Sequence, residues 1–323
     1  MIFLIVGLAA GAASATLSLS LLSGSMLAVL LFMFAPLPIL IASMGWNHRA
    51  GLVGAAAASA MLLGVAGFET ARGYALSIGL PAWWLGYLCL LARPRGERQE
   101  DGVDWYPIGR LVLWTAAVGA ALVLMTILLA GSITEYREML KVMFETFLRQ
   151  ETGTAADAPI VLPGGGDPAR LAELAVIALP PLGAAVWTAN TLFNLWVAGR
   201  VVRASSRLAR PWPELPMLTL PGLALPAFAL SIAGAMVPGV GFCFGIIASA
   251  LAVAFSIQGL ACLHAVSRGI SGRGLLLTGT YLLLAVQTWT LVFLAILGIA
   301  EQMFQLRSRA ADRAARRKPP SRN

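Results

Sequence analysis

Long apolar blocks separated by short polar ones organise the chain, with apolar runs at approximately 2–22, 26–46, 51–68, 72–92, 110–130, 171–199, 218–237, 239–263 and 274–300. A helix of about 20 predominantly apolar residues crosses a hydrocarbon core of about 30 Å. The roughly ten-residue alternating segments of an outer-membrane barrel are absent, so helices are what can satisfy the backbone in lipid. The pattern predicts an all-α, polytopic helical integral membrane protein with one membrane domain over 1–306. Residues 2–15 end in Ala13-Ser14-Ala15, like a cleavage site, but no Lys or Arg follows Met1 and the apolar run continues through Leu21-Leu22. An uncleaved first span is expected.

Basic residues in short loops set orientation. Arg93, Arg95, Arg98 and Arg110 fall in the loop 93–110, and Arg200, Arg203, Arg207 and Arg210 in the segment 200–210. Two spans separate these clusters, so both can face the cytoplasm, with the N-terminus. The tail 307–323 holds the densest basic cluster and is expected to be a disordered cytoplasmic tail. Yet three apolar runs lie between 210 and 307, which reverses its side unless one fails to span. The run 218–237 contains Pro221 and Pro226 and is flanked by Pro216 and Pro238, and proline removes a backbone donor. The expectation is therefore eight spans plus one re-entrant segment at 218–237, with nine full spans as the alternative.

The loop 131–170, placed outside by this topology, carries a different period. Tyr136, Met139, Leu140, Met143, Phe144, Phe147 and Leu148 form the stripe of an amphipathic helix over 133–150. Ser132 and Glu135 offer a capping box and Gly153 a stop. The helix either lies in the interface over the bundle or acts as a lid on an external cavity.

Composition sharpens the class. Of 323 residues, 59% are hydrophobic and only 12% charged, half the roughly 25% charge of a soluble domain. The formal charge of +8 sits in clusters between spans, without a nucleic-acid-binding module, so anionic lipid is the expected partner and nucleic acid is not. Cys89, Cys243 and Cys262 are dispersed, and Cys262 with His264 lacks a second pair for a zinc site. Neither HExxH nor paired intramembrane acids occur, and Pro163-Gly164-Gly165-Gly166-Asp167 lacks the GK[ST] of a phosphate loop. No catalytic residue, metal or cofactor is expected.

Polar residues inside spans are the better clue, because lipid burial costs unless they find partners. Asn190 and Asn194 share one side of a helix, and Gln258 lies on another. They either bind a small polar ligand or hydrogen-bond between helices. Trp83 and Trp84, beside Pro81 and near mid-span, are either pocket wall or packing. The first span carries Gly7-x-x-x-Gly11 and Ala9-x-x-x-Ala13, a spacing that lets backbones approach, within the chain or onto another subunit.

Ala35-Pro36-Leu37-Pro38, Pro81-Ala82-Trp83-Trp84, Arg210-Pro211-Trp212, Gln258-Gly259-Leu260-Ala261 with His264, and Leu297-Gly298, Glu301 and Leu306-Arg307 together resemble the YybS-like predicted bacterial membrane proteins (domain of unknown function 2232). The likeness runs over roughly 30–310 and carries no catalytic residues. That family is in turn distantly similar to the substrate-capture subunits of energy-coupling-factor vitamin transporters, from whose six-helix pattern the extra spans and long loop depart. The resemblance implies a multi-pass protein of the bacterial inner membrane that captures a small molecule near the outer face. It further implies docking through Ala9 and Ala13 on a membrane subunit with a separate ATPase module. Ligand contact is expected at Trp83, Trp84, Asn190, Asn194 and Gln258. The alternative is a non-transporting scaffold or assembly protein.

Overall fold

Apolar runs of this length become helices because each backbone N–H must find its carbonyl inside its own segment. In a computed structural model, which describes residues 1–94, 102–155, 158–162, 165–287 and 289–316, they do so almost throughout. Arg95, Arg98, Pro163, Gly164 and residues 317–323 lie outside the described residues.

Helix α1 (Ile2–Leu19) runs beside the first half of α4 (His48–Tyr74). A Cβ on Gly7 would stand 2.7 Å from the Ala50 carbonyl oxygen, and one on Gly11 2.6 Å from that of Gly54. The glycine pair thus serves packing within the chain. The run 26–46 makes one pass in two pieces, α2 (Met26–Met33) and α3 (Pro36–Gly45), broken where Pro36 and Pro38 withhold N–H groups.

Helix α4 continues through a π-helical turn (Ala75–Gly79) into α5 (Leu80–Leu90), a helical stretch of 43 residues. At 1.5 Å per residue it would measure about 64 Å if straight, twice a bilayer core. It is not straight. Gly67 takes φ 84 and ψ 176, which glycine adopts without penalty, and the chain reverses there. His48 consequently meets Tyr87, ring centroids 5.2 Å apart, and a Cβ on Gly79 would touch that of Ala55 at 3.4 Å. The two runs 51–68 and 72–92 are two antiparallel passes.

A two-stranded antiparallel ladder, β1 (Ala92–Pro94) with β2 (Val103–Trp105), follows on the face that also holds Trp46. Helix α6 (Ile108–Leu129) crosses away from it, and the amphipathic stripe forms α7 (Ile133–Thr152) on the far side. The Ser132 hydroxyl accepts from the Glu135 N–H (3.1 Å) and donates to its carboxylate (3.0 Å), and Gly153 closes the helix at φ 63. Tyr136 and Leu148 are buried, while Met139, Val142, Met143 and Phe147 stay exposed. Helix α8 (Pro168–Ala204) returns to the ladder side.

The last third corrects the expected topology. The segment 218–237 is not the re-entrant one. It enters extended, with the Leu220 N–H bonded to Gln258 (2.7 Å), then forms α9 (Ala224–Ala235). That helix runs antiparallel to α10 (Gly241–Val266) as far as Gly234, which rests on Phe244. The prolines exclude a full-length helix without preventing a crossing.

The run 274–300 fails to cross instead. It breaks at Gln287 (φ −125, ψ 109) into α11 (Arg273–Val286) and α12 (Trp289–Phe304). Helix α12 runs parallel to α10: Ser256 bonds the Leu291 carbonyl (2.7 Å) and Cys262 lies against Glu301. Leu291 therefore lies level with Ser256, about 15 Å below the Val266 end of α10. The 14 residues of α11 descend about 21 Å, so the pair dips to mid-depth and returns to the face it left. Six helical stretches are long and apolar enough to cross a membrane. With the reversal at Gly67 and the crossing at 218–235, the described residues make eight passes and one re-entrant hairpin. The hairpin puts residue 307 on the same face as 200–217, where Arg307 donates to the Pro216 (2.7 Å) and Leu218 (2.9 Å) carbonyls.

Where the sequence implies a disordered tail from 307, the chain forms α13 (Leu306–Arg316). Alanine and arginine are strong helix formers, and the start of the helix is anchored through Arg307.

Candidate functional site

The ladder, the end of α8, the 267–272 turn and α13 share one face, here the basic face. On the opposite face lies a half-open cavity of about 320 Å³ between the end of α1, α2 and both arms of the α4 hairpin. Its walls are Leu19, Leu21, Leu22, Phe32, Leu62 and Ile78, interrupted by Ser18, Thr70, Gly73, Tyr74 and Ser77. The size falls at the lower end of the roughly 300–1,000 Å³ usual for small-molecule sites.

The hydroxyls here are already committed as donors. Ser18 donates to the Ser14 carbonyl (2.9 Å), Thr70 to Ala66 (3.0 Å) and Ser77 to Gly73 (2.7 Å). Tyr74 shares a hydrogen bond with Ser14 (2.6 Å), and Ser14 donates to the Ala35 carbonyl (2.6 Å). Their oxygens keep lone pairs, so a ligand meets acceptors set in an apolar wall. Among the described residues no charged side chain lines the cavity. The π-helical turn borders it, a distortion frequent at functional sites, and the Ser77 carbonyl accepts from the Trp187 indole (2.9 Å). Helix α7 contributes no lining residue, so it is not the lid of this cavity.

The residues singled out from the sequence lie elsewhere. Asn190 and Asn194 donate to the Met33 carbonyl at 3.0 and 2.9 Å, the oxygen left over where α2 breaks before Pro36. Asn194 also donates to the Asn190 carbonyl (2.9 Å), while its own Oδ1 is buried without a partner among the described residues. Trp83 and Trp84 pack in the cluster that holds Leu195 and Ala198 of α8, and Trp84 meets Trp114 edge to face at 5.1 Å. This brings the two tryptophans and the asparagines to one half of the bundle, but not to the cavity.

Gln258 belongs to the other half. It accepts from the Leu220 N–H and donates to the Gly298 carbonyl (2.8 Å) and to Gln302 (3.3 Å), which in turn donates to Pro221 (3.1 Å). Beside it, the buried Glu301 pairs with Arg307 (2.6 Å) and accepts its backbone N–H (3.0 Å). This network clamps the extended 215–222 segment to α10 and α12. Ala9 and Ala13 are exposed on α1 while Gly7 and Gly11 are buried. Cys262 turns to Glu301 and His264 to Tyr281 (2.9 Å), so the two diverge.

Sequence reasoning missed the cavity residues because each is unremarkable alone: serine, threonine and glycine at ordinary helical positions. The one available signal was Ser14, Ser18, Thr70, Tyr74 and Ser77 gathering near the same ends of the first, third and fourth apolar runs.

A family profile described as "Predicted membrane protein (DUF2232)" matches residues 12–301 of the chain. No curated protein and no solved structure matches it.

Proposed function

The chain belongs to the DUF2232 family of predicted membrane proteins, and from that premise we propose that it is the ligand-capturing subunit of a small-molecule transporter of the bacterial inner membrane. The cavity opposite the basic face carries this reading. The excess of arginine at the ladder, the α8 end and the tail supports a cytoplasmic basic face, and on that orientation the cavity lies at the outer end. A wall of leucine, isoleucine and phenylalanine with hydroxyl acceptors and no charge selects an uncharged, largely apolar molecule bearing a hydrogen-bond donor. A charged metabolite would lose its hydration there without a counter-ion. The sequence carries no GK[ST] phosphate loop, so in this reading movement across the membrane draws on a separate ATPase module. The outward Ala9 and Ala13 stripe of α1 is the docking face for its membrane partner, consistent with close approach at small residues.

Gly73 supplies the test, since it lines the cavity and a Cβ there would meet nothing within 4 Å. Gly73→Leu extends an isobutyl group into that space from a Cβ that meets nothing within 4 Å, and raises helix propensity by nearly 1 kcal/mol. The variant is expected to insert and melt like the wild type while losing the small molecule extracted from purified protein. Equal ligand content in both proteins would remove the cavity from the account.

A further inference from the structure

At the basic face α8 ends in an arginine stripe that the capture site does not use. Arg203 lies in its last turn, Arg200 just before that turn, and Arg207 beyond the end of the helix. Ser206, at φ 56, turns the chain so that the Ser206 N–H bonds the Arg203 carbonyl (2.9 Å) and the Arg207 N–H that of Val202 (3.0 Å). Each guanidinium lies over an indole. Arg200 and Arg203 share Trp212, at 5.7 and 5.5 Å from its centroid, and Arg207 covers Trp46 at 4.5 Å. The platforms are built in: Trp212 lies against Gly199, where a Cβ would stand 3.0 Å from the ring, and Gly45, the residue before Trp46, faces Val202, which a Cβ there would meet at 3.5 Å.

Stacking fixes a guanidinium by its face and leaves its fork of N–H donors free. Among the described residues these three make no side-chain hydrogen bond or ion pair; the ion pairs fall at Arg72, Arg268 and Arg307. Arg210, next along, shows the contrast. It is 9% exposed and donates to the Cys89 (2.9 Å) and Tyr106 (3.4 Å) carbonyls. Two cations sharing one indole repel each other unless an anion lies between them, and the planar fork matches phosphate oxygens. Directly below Arg200 on the outer side of α8 lie Trp196 and Phe193, 55% and 48% exposed and stacked at 6.2 Å. An apolar strip thus leads from the arginines down the helix.

We infer that Arg200, Arg203 and Arg207, held on Trp212 and Trp46, form a site for the phosphate of an anionic phospholipid whose acyl chain lies along Trp196 and Phe193. The strip distinguishes a lipid from free phosphate, which would have no use for it.

Native mass spectrometry of the full chain in detergent, titrated with phosphatidylglycerol, phosphatidylcholine or inorganic phosphate, tests this. The wild type is expected to retain phosphatidylglycerol over phosphatidylcholine, and Arg200→Gln/Arg203→Gln to lose about fivefold of that retention per arginine. Trp212→Leu, at unchanged net charge, is expected to weaken retention as well, whereas Arg170→Gln/Arg309→Gln, matched in charge, leaves it intact. Undiminished retention by Trp212→Leu, or equal loss in the charge-matched control, would reduce the stripe to general surface charge. Inorganic phosphate binding as tightly as the lipid would overturn the lipid assignment.

Discussion

Single polar side chains decide how this bundle closes, and their burial in lipid was readable before their partners were. Asn190, Asn194 and Gln258 stand out in the sequence because amides inside spans must be satisfied. What the sequence withheld was that Pro36 frees the Met33 carbonyl for the asparagines, and that Gln258 accepts from the Leu220 N–H of an extended segment. Both facts depend on which helices become neighbours. Replacing Asn190 and Asn194 together by leucine is therefore expected to cost roughly 0.6 kcal/mol per lost contact, up to 1–2, while ligand retention persists; loss of ligand with intact stability would return these residues to a binding role. The Glu301–Arg307 pair carries more weight, its side chains being only 9% and 15% exposed. Arg307→Met leaves a buried carboxylate unpaired and is expected to destabilise by about 3–5 kcal/mol, read from thermal melts in detergent. A truncation beginning at 307 should reproduce that loss, and one beginning at 309 should not.

The amphipathic helix, its serine cap and its glycine stop were legible because periodicity and capping are local, and α7 forms where the stripe places it. The breaks were harder. Four prolines marked 218–237 as the segment that cannot cross, yet Leu220 finds a side-chain acceptor in Gln258 and the chain crosses extended, then as α9. The run 274–300 has no proline at all and still divides at Gln287, because Gly259 and Gly298 bring the backbones of α10 and α12 into contact and hold α12 parallel to α10. Parity required one failed crossing; only packing identified which. In a chain with Cys89, Cys243 and Cys262 replaced, single cysteines at Gly272 and Arg309 are expected to react with an impermeant thiol reagent from one side, and one at Met236 from the other. Labelling of the 272 and 309 positions from opposite sides would make 273–304 a full span.

At the scale of the whole molecule, eight passes and a re-entrant hairpin leave two functional ends. The basic end concentrates arginine and tryptophan, with Arg200, Arg203 and Arg207 over Trp212 and Trp46. The opposite end holds an uncharged cavity assembled from four segments, which no single stretch of sequence announces. Helical membrane class, family and the amphipathic helix followed from composition, period and scattered motifs. The cavity did not, since its hydroxyls and glycine acquire meaning only when the hairpin at Gly67 folds back toward α1. The central claim is that this cavity captures an uncharged small molecule, and the most direct measurement is mass spectrometry of what the wild-type protein retains after mild-detergent purification from its native host. The account predicts a near-stoichiometric neutral, carbon-rich compound together with an ATPase-bearing partner. A charged metabolite, or an empty chain accompanied by envelope-assembly factors, would contradict it.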